Sequence, residues 1–486
     1  MRIQISYSSV FKVLGWLLLV EAAIMLVPCI VNIAEGEKVL GFILGIAGAS
    51  VTGGLFTWRC RYCRMNIQRR EGALLVSLAW VVFSLFGMLP FIFCNTPLSV
   101  SDAFFETMSG FTTTGATTMN DVEALSQGIL LWRALTQWIG GLGIILFMLA
   151  LLPSLNRQGG IPMYNAEVTG ITHDKLHPRI RNTALSLWIV YLCLTLVLIG
   201  LLWAGPMSFF DAVCQGLSAI STGGFSTRNA SIAWWGSDYI SVVITLFMFI
   251  GGVNFTLIYA LLKGNGALLW RNDVFRAYCL IVFSSYLVLL VSLIVQGKVH
   301  TVHDGLTVPL FHIVSTTTTT GFTLGDFGTW GSFPLLVTIL LMLSGACAGS
   351  TTGAIKIDRL IALRKNLTNE IRLTVSPRRV YTVKVNGNVL PAADLSKVTA
   401  FVTIYMVLVL IGALMVSAFG YNLTDSFFAV ISCIGNNGLG YGFTGSAGGF
   451  HMLPDAVKWI MSFYMLIGRL ELFSILVMLY SSFWQK

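Results

Sequence analysis

The chain alternates long apolar runs with short polar stretches, and the apolar runs set its architecture. Ten runs approach or exceed the length of about 20 apolar residues that crosses a bilayer core. The last eight runs fall into four pairs, and each pair encloses a strip of Ser, Thr, Asn and Gly. The pattern predicts an all-α polytopic membrane protein. The predicted spans are residues 11–33, 39–57, 72–95, 128–152, 183–203, 237–262, 277–297, 333–361, 398–420 and 456–483.

The four polar strips repeat one spacing, which is Ser, five residues, then Gly. Their closing glycines lie 109, 97 and 117 residues apart. A spacing that recurs at this scale defines a structural repeat. In three copies an Asp stands thirteen residues before the glycine, whereas the third copy has Val308 there. The strips run from Ser109 to Gly115, from Ser218 to Gly224, from Ser315 to Gly321 and from Ser432 to Gly438, and the three acids are Asp102, Asp211 and Asp425.

Each repeat is predicted to contain a helix, a short re-entrant helix, the strip and a second helix. The re-entrant segments 102–110, 211–219, 308–315 and 425–432 have only two to three turns and cannot cross a membrane. The fold class is therefore four helix–pore-loop–helix repeats around a pseudo-fourfold pore, plus two N-terminal transmembrane helices. The expected division is two extra helices (1–71), repeat 1 (72–152), repeat 2 (183–262), repeat 3 with an intramembrane gating loop (277–363), a cytoplasmic linker (364–396) and repeat 4 (397–486).

Composition and charge agree with a membrane protein and predict its orientation. Only 10% of the residues are charged, against about 25% in soluble proteins. The termini and the loops on one side hold 24 of the 30 Lys and Arg, so the positive-inside rule predicts two cytoplasmic termini. Because this bias accounts for the net charge of +9, the charge does not indicate nucleic-acid binding. Nine dispersed cysteines argue against a disulfide framework, and the absence of a catalytic constellation predicts that the chain is not an enzyme.

The polar strips predict an ion pathway. Irregular backbone at membrane depth must be buried in protein or line a watery path. Four strips around one axis would form a ring whose carbonyl oxygens replace the hydration shell of a potassium ion. The alternative is that the strips are polar loops that only join helices, and their repetition in register favours the pore. The acidic residues on the outer side either concentrate cations or are what the positive-inside bias leaves there.

Small residues interrupt the second helix of each repeat. Gly140-Gly141 and Gly251-Gly252 are either breaks or sites of close helix packing. Residues 344–353 are all small or polar, and they predict an unwound plug beneath the ring. Arg469 lies at mid-membrane depth, where a charge needs a partner or water. Because Glu471 lies off the same helix face, Arg469 faces the pathway or loop carbonyls, or else it pairs with an acid on another helix.

Two further stretches predict parts of the structure outside the strips and the breaks. Arg133, near the outer end of its helix with Gln137 one turn below it, is read as an interfacial or filter-supporting residue. The basic linker 356–397 contains a strand-like stretch followed by Asn386-Gly387, a pair typical of two-residue hairpin turns. This hairpin is expected either to dock a partner or to lie under the bilayer.

Five motifs, in order, resemble the Trk/Ktr/HKT superfamily of potassium transporters, and the likeness is greatest to the bacterial Trk membrane subunits. The resemblance covers nearly the whole chain, including the two extra N-terminal helices. The departure at Val308 leaves the position of the third pore helix open. The motifs are Ser-Gly-Phe-Thr-Thr-Thr-Gly-Ala (109–116), Trp-Arg-Ala-Leu-Thr-Gln-Trp-Ile-Gly-Gly-Leu-Gly (132–143), Met-Phe-Ile-Gly-Gly-Val-Asn-Phe (248–255), Ala-Gly-Ser-Thr-Thr-Gly (348–353) and Gly-Arg (468–469).

The resemblance implies potassium uptake across the bacterial inner membrane by a homodimer with one pore in each protomer. It implies K⁺ as the substrate, no organic cofactor on this chain, and regulation by a cytosolic TrkA-like ring that binds the nucleotide, ATP/ADP or NAD(H). Gly115 stands where Ser occurs in sodium-preferring relatives, which indicates potassium. The alternative on the same fold is a Na⁺- or H⁺-coupled potassium symporter.

The resemblance also assigns site residues, which we state here as expectations. The filter would bind K⁺ through the backbone carbonyls of Thr112, Thr113, Thr114, Gly115, Ser221, Thr222, Gly223, Gly224, Thr318, Thr319, Thr320, Gly321, Gly435, Asn436, Asn437 and Gly438. The gate would consist of Gly345, Ala346, Cys347, Ala348, Gly349, Ser350, Thr351, Thr352, Gly353 and Arg469.

Overall fold

The computed structural model describes residues 5–63, 67–95, 97–143, 180–299, 301, 303–379, 381–445 and 449–484. Helices dominate this part of the chain. In chain order they are α1 (Tyr7–Ala34), α2 (Leu40–Arg59), α3 (Arg69–Gly87), α4 (Leu89–Ile92), α5 (Val100–Phe111), α6 (Gln127–Gly141), α7 (Ile180–Ala204), α8 (Phe209–Ile220), α9 (Asp238–Gly251), α10 (Phe255–Leu262), α11 (Gly266–Arg271), α12 (Asp273–Val295), α13 (Val308–Thr317), α14 (Ser332–Ser344), α15 (Ile357–Val375), α16 (Ala392–Ser417), α17 (Leu423–Ile434), α18 (Asp455–Arg469), α19 (Phe473–Leu479) and α20 (Ser481–Trp484).

Short elements complete the described chain. Two strands, β1 (Lys384–Val385) and β2 (Asn388–Val389), pair antiparallel across Asn386-Gly387, which confirms the predicted hairpin in a shorter form. Both turn residues have positive φ, 51° and 79°, as a type I′ turn requires. The 3₁₀ segments are Ser231–Trp235, Phe327–Trp330, Gly442–Thr444 and Phe450–Met452, and His303–Thr307 forms a π-helical turn.

The helices confirm a membrane protein with many spans, and three of the ten predicted spans are interrupted near the small residues that the sequence pointed to. Six described helices are long and apolar enough to cross a bilayer, or up to eight if each of two bent pairs counts as one span. The predicted span 237–262 bends by 104° between α9 and α10, and 456–483 bends by 114° between α18 and α19. The predicted span 333–361 stops at Ser344 and resumes at Ile357. The predicted span 128–152 extends beyond the described residues after position 143.

The two N-terminal helices stand beside repeat 1. They cross in close contact, because a Cβ atom built on Gly15 would lie 2.8 Å from the carbonyl oxygen of Gly53. The side chain of Asn32, near the end of α1, accepts a hydrogen bond of 2.8 Å from the backbone N–H of Gly128. This bond satisfies a free donor at the start of α6, so α1 is fixed against both α2 and α6.

Four short helices precede the strips, and we call α5, α8, α13 and α17 the pore helices. They have 10 to 12 residues, which is too short to cross a membrane. Ser99 and Ser208 cap α5 and α8 by accepting the N–H of Asp102 and Asp211. Asp102 and Asp211 themselves stand in the first turn of their helices, where a negative charge complements the helix dipole.

The third pore helix keeps its register although it lacks the Asp. It begins at Val308, with Pro309 in the first turn where a missing N–H costs nothing. It ends at Thr317, immediately before the four filter residues 318–321, as the other three pore helices end immediately before theirs. The replacement of Asp by Val308 therefore does not shift the C-terminal end of the third pore helix, from which the filter residues follow.

Candidate functional site

The four strips share one backbone conformation. In each, the second residue of the proposed filter set has a positive φ near 50°, although none of the four is glycine: Thr113, Thr222, Thr319 and Asn436 have φ of 54°, 52°, 53° and 51°. Side chains other than glycine rarely adopt this region. The closing glycines have φ of 83°, 83°, 83° and 76°. Four copies of the same strained turn indicate a common structural requirement.

The strips meet in a closed cycle. A Cβ atom built on Gly115 would overlap the carbonyl oxygen of Gly223 in the second strip. The same construction on Gly224 meets Thr320 O in the third strip, Gly321 meets Asn437 O in the fourth, and Gly438 meets Thr114 O in the first. Each glycine thus leaves room for the carbonyl of the next strip. The structure brings all four strips of the predicted filter together around one axis.

The serine that opens the pattern explains its spacing. Ser109 Oγ donates to the carbonyl of Ala116 at 2.6 Å, Ser315 Oγ to Phe322 at 2.8 Å, and Ser432 Oγ to Leu439 at 2.7 Å. In every case the acceptor is the residue just after the glycine. The last turn of the pore helix therefore ties down the far end of its own strip.

The second strip is built differently, around Gln137 of α6. The amide nitrogen of Gln137, Nε2, donates to the carbonyl of Gly223 at 2.6 Å. Its amide oxygen, Oε1, accepts from Ser218 Oγ at 2.5 Å and from the N–H of Phe225 at 3.1 Å. Gln137 is fully buried. A side chain from outside the strip thus replaces the serine-to-carbonyl bond of the other three.

Most carbonyl oxygens of the four-residue filter sets receive no hydrogen bond from the protein. Among the carbonyls of these sets, donors from the described residues reach only Ser221 O, from Thr222 Oγ1, and Gly223 O, from Gln137. The first three residues of each four-residue filter set are buried, and the closing glycine is half-buried. Buried carbonyls normally have partners, so a ring of free carbonyls at this depth has the chemistry to bind a dehydrated cation.

Residues 345–353, which we call the loop, lie directly against the strips. Thr222 Oγ1 donates to Thr351 Oγ1 at 3.0 Å, and the N–H of Gly353 donates to Thr319 Oγ1 at 3.0 Å. A Cβ atom on Gly353 would lie 3.1 Å from Asn436 Oδ1. The side chains of three positive-φ residues, one in each of strips 2, 3 and 4, therefore face the loop. Within it, Ala346, Cys347, Thr351 and Thr352 are buried, while Ala348, Gly349 and Ser350 are partly exposed.

The bend after α9 holds the loop in position. The last carbonyls of a helix lack partners inside the helix. Here the carbonyl of Gly252 accepts the N–H of Cys347 at 3.1 Å, and that of Gly251 accepts Thr351 Oγ1 at 3.2 Å. Gly349 O accepts the N–H of Phe255, which opens α10, at 3.0 Å. The pair Gly251-Gly252 thus marks a break whose free groups bind the loop of the following repeat.

Arg469 joins the loop to the first strip. Its Nη1 donates to Thr351 O at 2.9 Å and to Thr113 Oγ1 at 3.2 Å. Its Nη2 donates to the carbonyl of Gly141 at 2.7 Å and also to that of Gly140. Glu471 forms an ion pair with Arg359 of α15. The guanidinium therefore donates to backbone carbonyls at the end of α6 and in the loop, together with a hydroxyl of the first strip.

The faces of the pore helices that look away from the strips differ from repeat to repeat. Nine residues before the closing glycine the chain has Glu106, Gln215, His312 and Ala429. Glu106 pairs with Arg133 at 2.8 Å, and both side chains are nearly fully buried. Gln215 donates to Ser226 Oγ at 2.8 Å, and His312 Nε2 contacts Thr338 Oγ1 at 2.9 Å. Arg133 stood out in the sequence, but its partner Glu106 did not, although Glu106 lies at an offset from the closing glycine where repeats 2 and 3 also carry a polar residue.

The arrangement defines a class, the pore-loop membrane proteins that carry cations. Comparison with known proteins agrees. The family model described as "TrkH: Cation transport protein" matches residues 40–486. The "Trk system potassium uptake protein TrkH" of Escherichia coli K12 is 35% identical over 491 residues, covering 99% of this chain and all of that protein. TrkG of the same organism is 30% identical and covers 97% of each chain.

A solved structure matches over the same extent. The crystal structure of the potassium transporter TrkH from Vibrio parahaemolyticus superposes with a TM-score of 0.88 at 33% identity, and it covers 99% of this chain and all of the other. The chain belongs to the TrkH family of cation transport proteins. This confirms the family resemblance and the all-α polytopic fold, and it makes the chain a transport protein rather than an enzyme.

Proposed function

We propose that the chain takes up potassium ions through the ring of four strips. The observation that carries this proposal is the closed cycle in which each strip glycine accommodates the carbonyl of the next strip. The relatives are named as potassium uptake proteins, which supports K⁺ as the substrate. The carbonyls of the sixteen residues predicted from the sequence, Thr112–Gly115, Ser221–Gly224, Thr318–Gly321 and Gly435–Gly438, are the proposed ligands.

The pore helices favour a cation at this ring. Each ends immediately before its four filter residues, so its C-terminal partial negative charge is directed toward them. An anion would meet four such ends and no donor ring. The rigid turns also pre-organise the carbonyls, since the positive-φ residue and the glycine bracket each strip. Discrimination against sodium then follows from the number and spacing of carbonyl dipoles that replace the water shell.

The proposed gate is the loop Gly345–Gly353 together with Arg469. Support comes from their bonds to the strips, which lie on the side where the pore helices end. A fixed guanidinium beside the pathway opposes a passing cation, and two unit charges about 4 Å apart repel by roughly 4 kcal/mol at an effective dielectric of 20. Opening requires the loop to leave the strips and Arg469 to exchange its carbonyl partners.

The setting of the transporter is also a proposal. The positive-inside bias supports two cytoplasmic termini in the bacterial inner membrane. The relatives are named as parts of a Trk system, which supports a cytosolic regulatory subunit of the TrkA type carrying the nucleotide. We propose a homodimer in which each protomer, divided as the sequence predicts, holds its own pore.

The proposal is tested by rubidium uptake in a strain that lacks its own potassium uptake. The wild-type chain should restore uptake, and Gly321→Ser should reduce it, because the added side chain would overlap Asn437 O. Gly200→Ser is the matched control, since nothing lies within 4 Å of a Cβ atom built at Gly200. If the wild-type chain reaches the membrane and transports no more rubidium than the empty vector, the proposed function is wrong.

Proton-coupled symport is the second candidate, and one observation favours it. Glu21 in α1 is 1% exposed, and neither of its carboxyl oxygens has a hydrogen-bond partner in the described part of the chain. Its Oε1 lies beside Gly87, which packs against Thr107 of the first pore helix. Buried membrane carboxyls mark proton relays in transporters. Proton movement that accompanies potassium in the wild type but not in Glu21→Gln would support coupling, whereas flux independent of the proton gradient contradicts it.

A further inference from the structure

A basic groove lies between α15 and the hairpin β1–β2, away from the strips and the loop. It has a volume of about 480 Å³, within the range of small-molecule sites. Four cations contribute to its lining, together with the amide of Asn369 and the hydroxyl of Thr382. The cations are Arg364, Lys365, Arg372 and Lys384.

The helix presents its cations to the groove on one face. Arg364 and Arg372 lie two turns apart on α15, with Lys365 beside them and Asn369 one turn further on, which is the spacing of neighbours on a helix surface. Glu370, the acid nearest to them in sequence, is two residues from Arg372 and so points away from that face at about 100° per residue. The face that closes the groove is thus cationic without an interposed acid.

The opposite wall is fixed rather than loose. Val383 and Val385 of the hairpin are buried, and Lys365 Nζ donates to the carbonyl of Lys384 at 2.7 Å. Asn386 Oδ1 accepts the N–H of Asp273 at 2.8 Å, and the carboxylate of Asp273 accepts the N–H of Asn386 at 3.2 Å. These bonds hold the hairpin against the first residue of α12, so the groove keeps its shape without a ligand.

Among the described residues, the positive charge of the groove is only partly neutralised. Lys365 is the one lining cation that forms an ion pair among the described residues, with Asp273 at 3.5 Å. Arg364, Arg372 and Lys384 form none in that part of the chain, and Arg372 instead lies over the ring of Tyr381 at 6.0 Å. Three like charges around one concave surface repel one another, and an anion between them would remove that repulsion.

The groove also lies at the level of a membrane surface. Its hairpin binds Asp273, the first residue of α12, and α12 is a spanning helix with a mean hydropathy of 2.5. We propose that this groove binds a phosphate group, through the guanidinium forks of Arg364 and Arg372 with Lys384, Asn369 and Thr382 as further donors. Arginine forks match phosphate geometry in two-bonded contacts. The phosphate belongs to an anionic lipid headgroup or to a soluble phosphate compound.

The test compares two double variants of the purified protein. Arg364→Gln with Arg372→Gln removes two cations from the groove, whereas Arg378→Gln with Arg379→Gln removes two cations from the same linker outside the groove lining. Binding is measured for phosphatidylglycerol, as lipid adducts against phosphatidylcholine in native mass spectrometry, and for inorganic pyrophosphate by calorimetry. Since each cation at a membrane surface contributes about 1 kcal/mol, the groove variant should bind about 30-fold more weakly, and the control should differ less than threefold.

The outcomes separate the sources and decide the proposal. A groove-dependent loss for phosphatidylglycerol assigns a lipid headgroup, and the same loss for pyrophosphate assigns a soluble phosphate compound. Thr382→Glu, which keeps every cation but places a carboxylate on an exposed hairpin position, should reproduce the loss. The proposal is overturned if the wild-type protein binds neither probe, or if both double variants weaken binding equally, as general attraction to a basic linker would cause.

Discussion

The four strips share one backbone turn, whereas the helices that follow them depart from a straight span in different ways. The strips have the same pair of positive-φ positions in every repeat. By contrast, α9 and α10 meet at 104°, α18 and α19 meet at 114°, and α14 is separated from α15 by twelve residues that include the loop. The four strips are therefore nearly fourfold symmetric, and we call them the symmetric level. The helices that follow them and the loop are not symmetric, and we call them the asymmetric level.

The difference follows from what each level contacts. Strips that surround one axis make equivalent contacts with their neighbours, so any departure by one strip would open the cycle of glycines and carbonyls. The breaks instead offer free carbonyls to unlike partners. Those of Gly251 and Gly252 bind the loop, and those of Gly140 and Gly141 bind Arg469. On the proposed function, symmetry serves ion coordination, and asymmetry allows one loop and one cation to close the pathway.

Removing the positive charge of Arg469 should have the largest effect on transport. Arg469→Ala should raise potassium flux through the membrane subunit alone by up to about 1,000-fold, the factor that corresponds to roughly 4 kcal/mol of relieved repulsion. Flux into proteoliposomes measures the change, and selectivity should stay unaltered. Arg469→Lys keeps the charge and should increase flux far less. Deletion of 346–350 should act like Arg469→Ala. Correctly folded variants that conduct no faster than the wild type would make Arg469 a structural residue.

Breaking the buried pair behind the first strip tests whether repeat 1 depends on its own support. Glu106→Gln leaves the Arg133 guanidinium buried without its charged partner, and it should cost about 3 kcal/mol of unfolding free energy. The equivalent change in repeat 2, Gln215→Leu, removes a neutral hydrogen bond and should cost about 1 kcal/mol. Unfolding in mixed micelles measures both. Equal losses would contradict the view that the supports differ in kind, and Glu106→Gln with Arg133→Met should recover stability.

Disturbing the symmetric level should change selectivity more than stability. Gly115→Ser places a side chain at φ 83° against Gly223 O, so the carbonyls of two neighbouring strips must shift. We expect discrimination of potassium against sodium to fall at least about tenfold, which is about 1.4 kcal/mol. Reversal potentials under mixed ions measure it, with Gly200→Ser as the control. An unchanged reversal potential in a folded variant would remove Gly115 from the filter.

The sequence was sufficient for the symmetric level because local chemistry determines it. Ser109 reaches the carbonyl seven residues on, so the Ser-to-Gly spacing carries the strip geometry directly. The pairing of Asn386-Gly387 with a hairpin is local in the same way. Repetition of these short-range signals in register predicted four strips and their helices.

The asymmetric level could not be derived in this way because its contacts join distant segments. Gln137 accepts a hydrogen bond from Ser218, a serine of the second strip that lies 81 residues later in the chain. Arg469 donates to carbonyls more than 300 residues earlier in the chain. The direction of the bends depends on which carbonyl finds which partner, and no spacing within one helix records that choice. Small residues marked interruptions within 237–262, 333–361 and 456–483, but for this reason they did not give the direction of each break.

The smallest effect is expected at the outer loops, where repeats 1 and 2 meet in water. Asp121 accepts a hydrogen bond of 2.7 Å from Asn229 Nδ2 and another from the N–H of Glu123 at 3.0 Å. The Asn229 contact, and then the Glu123 N–H, lower the pKa of Asp121 from its ordinary value of 3.8. A lowered folded pKa stabilises the fold above the unfolded pKa, and this contribution is lost as the pH falls through the folded pKa. The thermal midpoint of the wild type should therefore exceed that of Asp121→Asn by a small margin at pH 6. Because Asn carries no charge at any pH, the margin should close as the pH falls below the lowered pKa of Asp121. A margin that persists in acid would mean that the contact between the repeats does not depend on the charge.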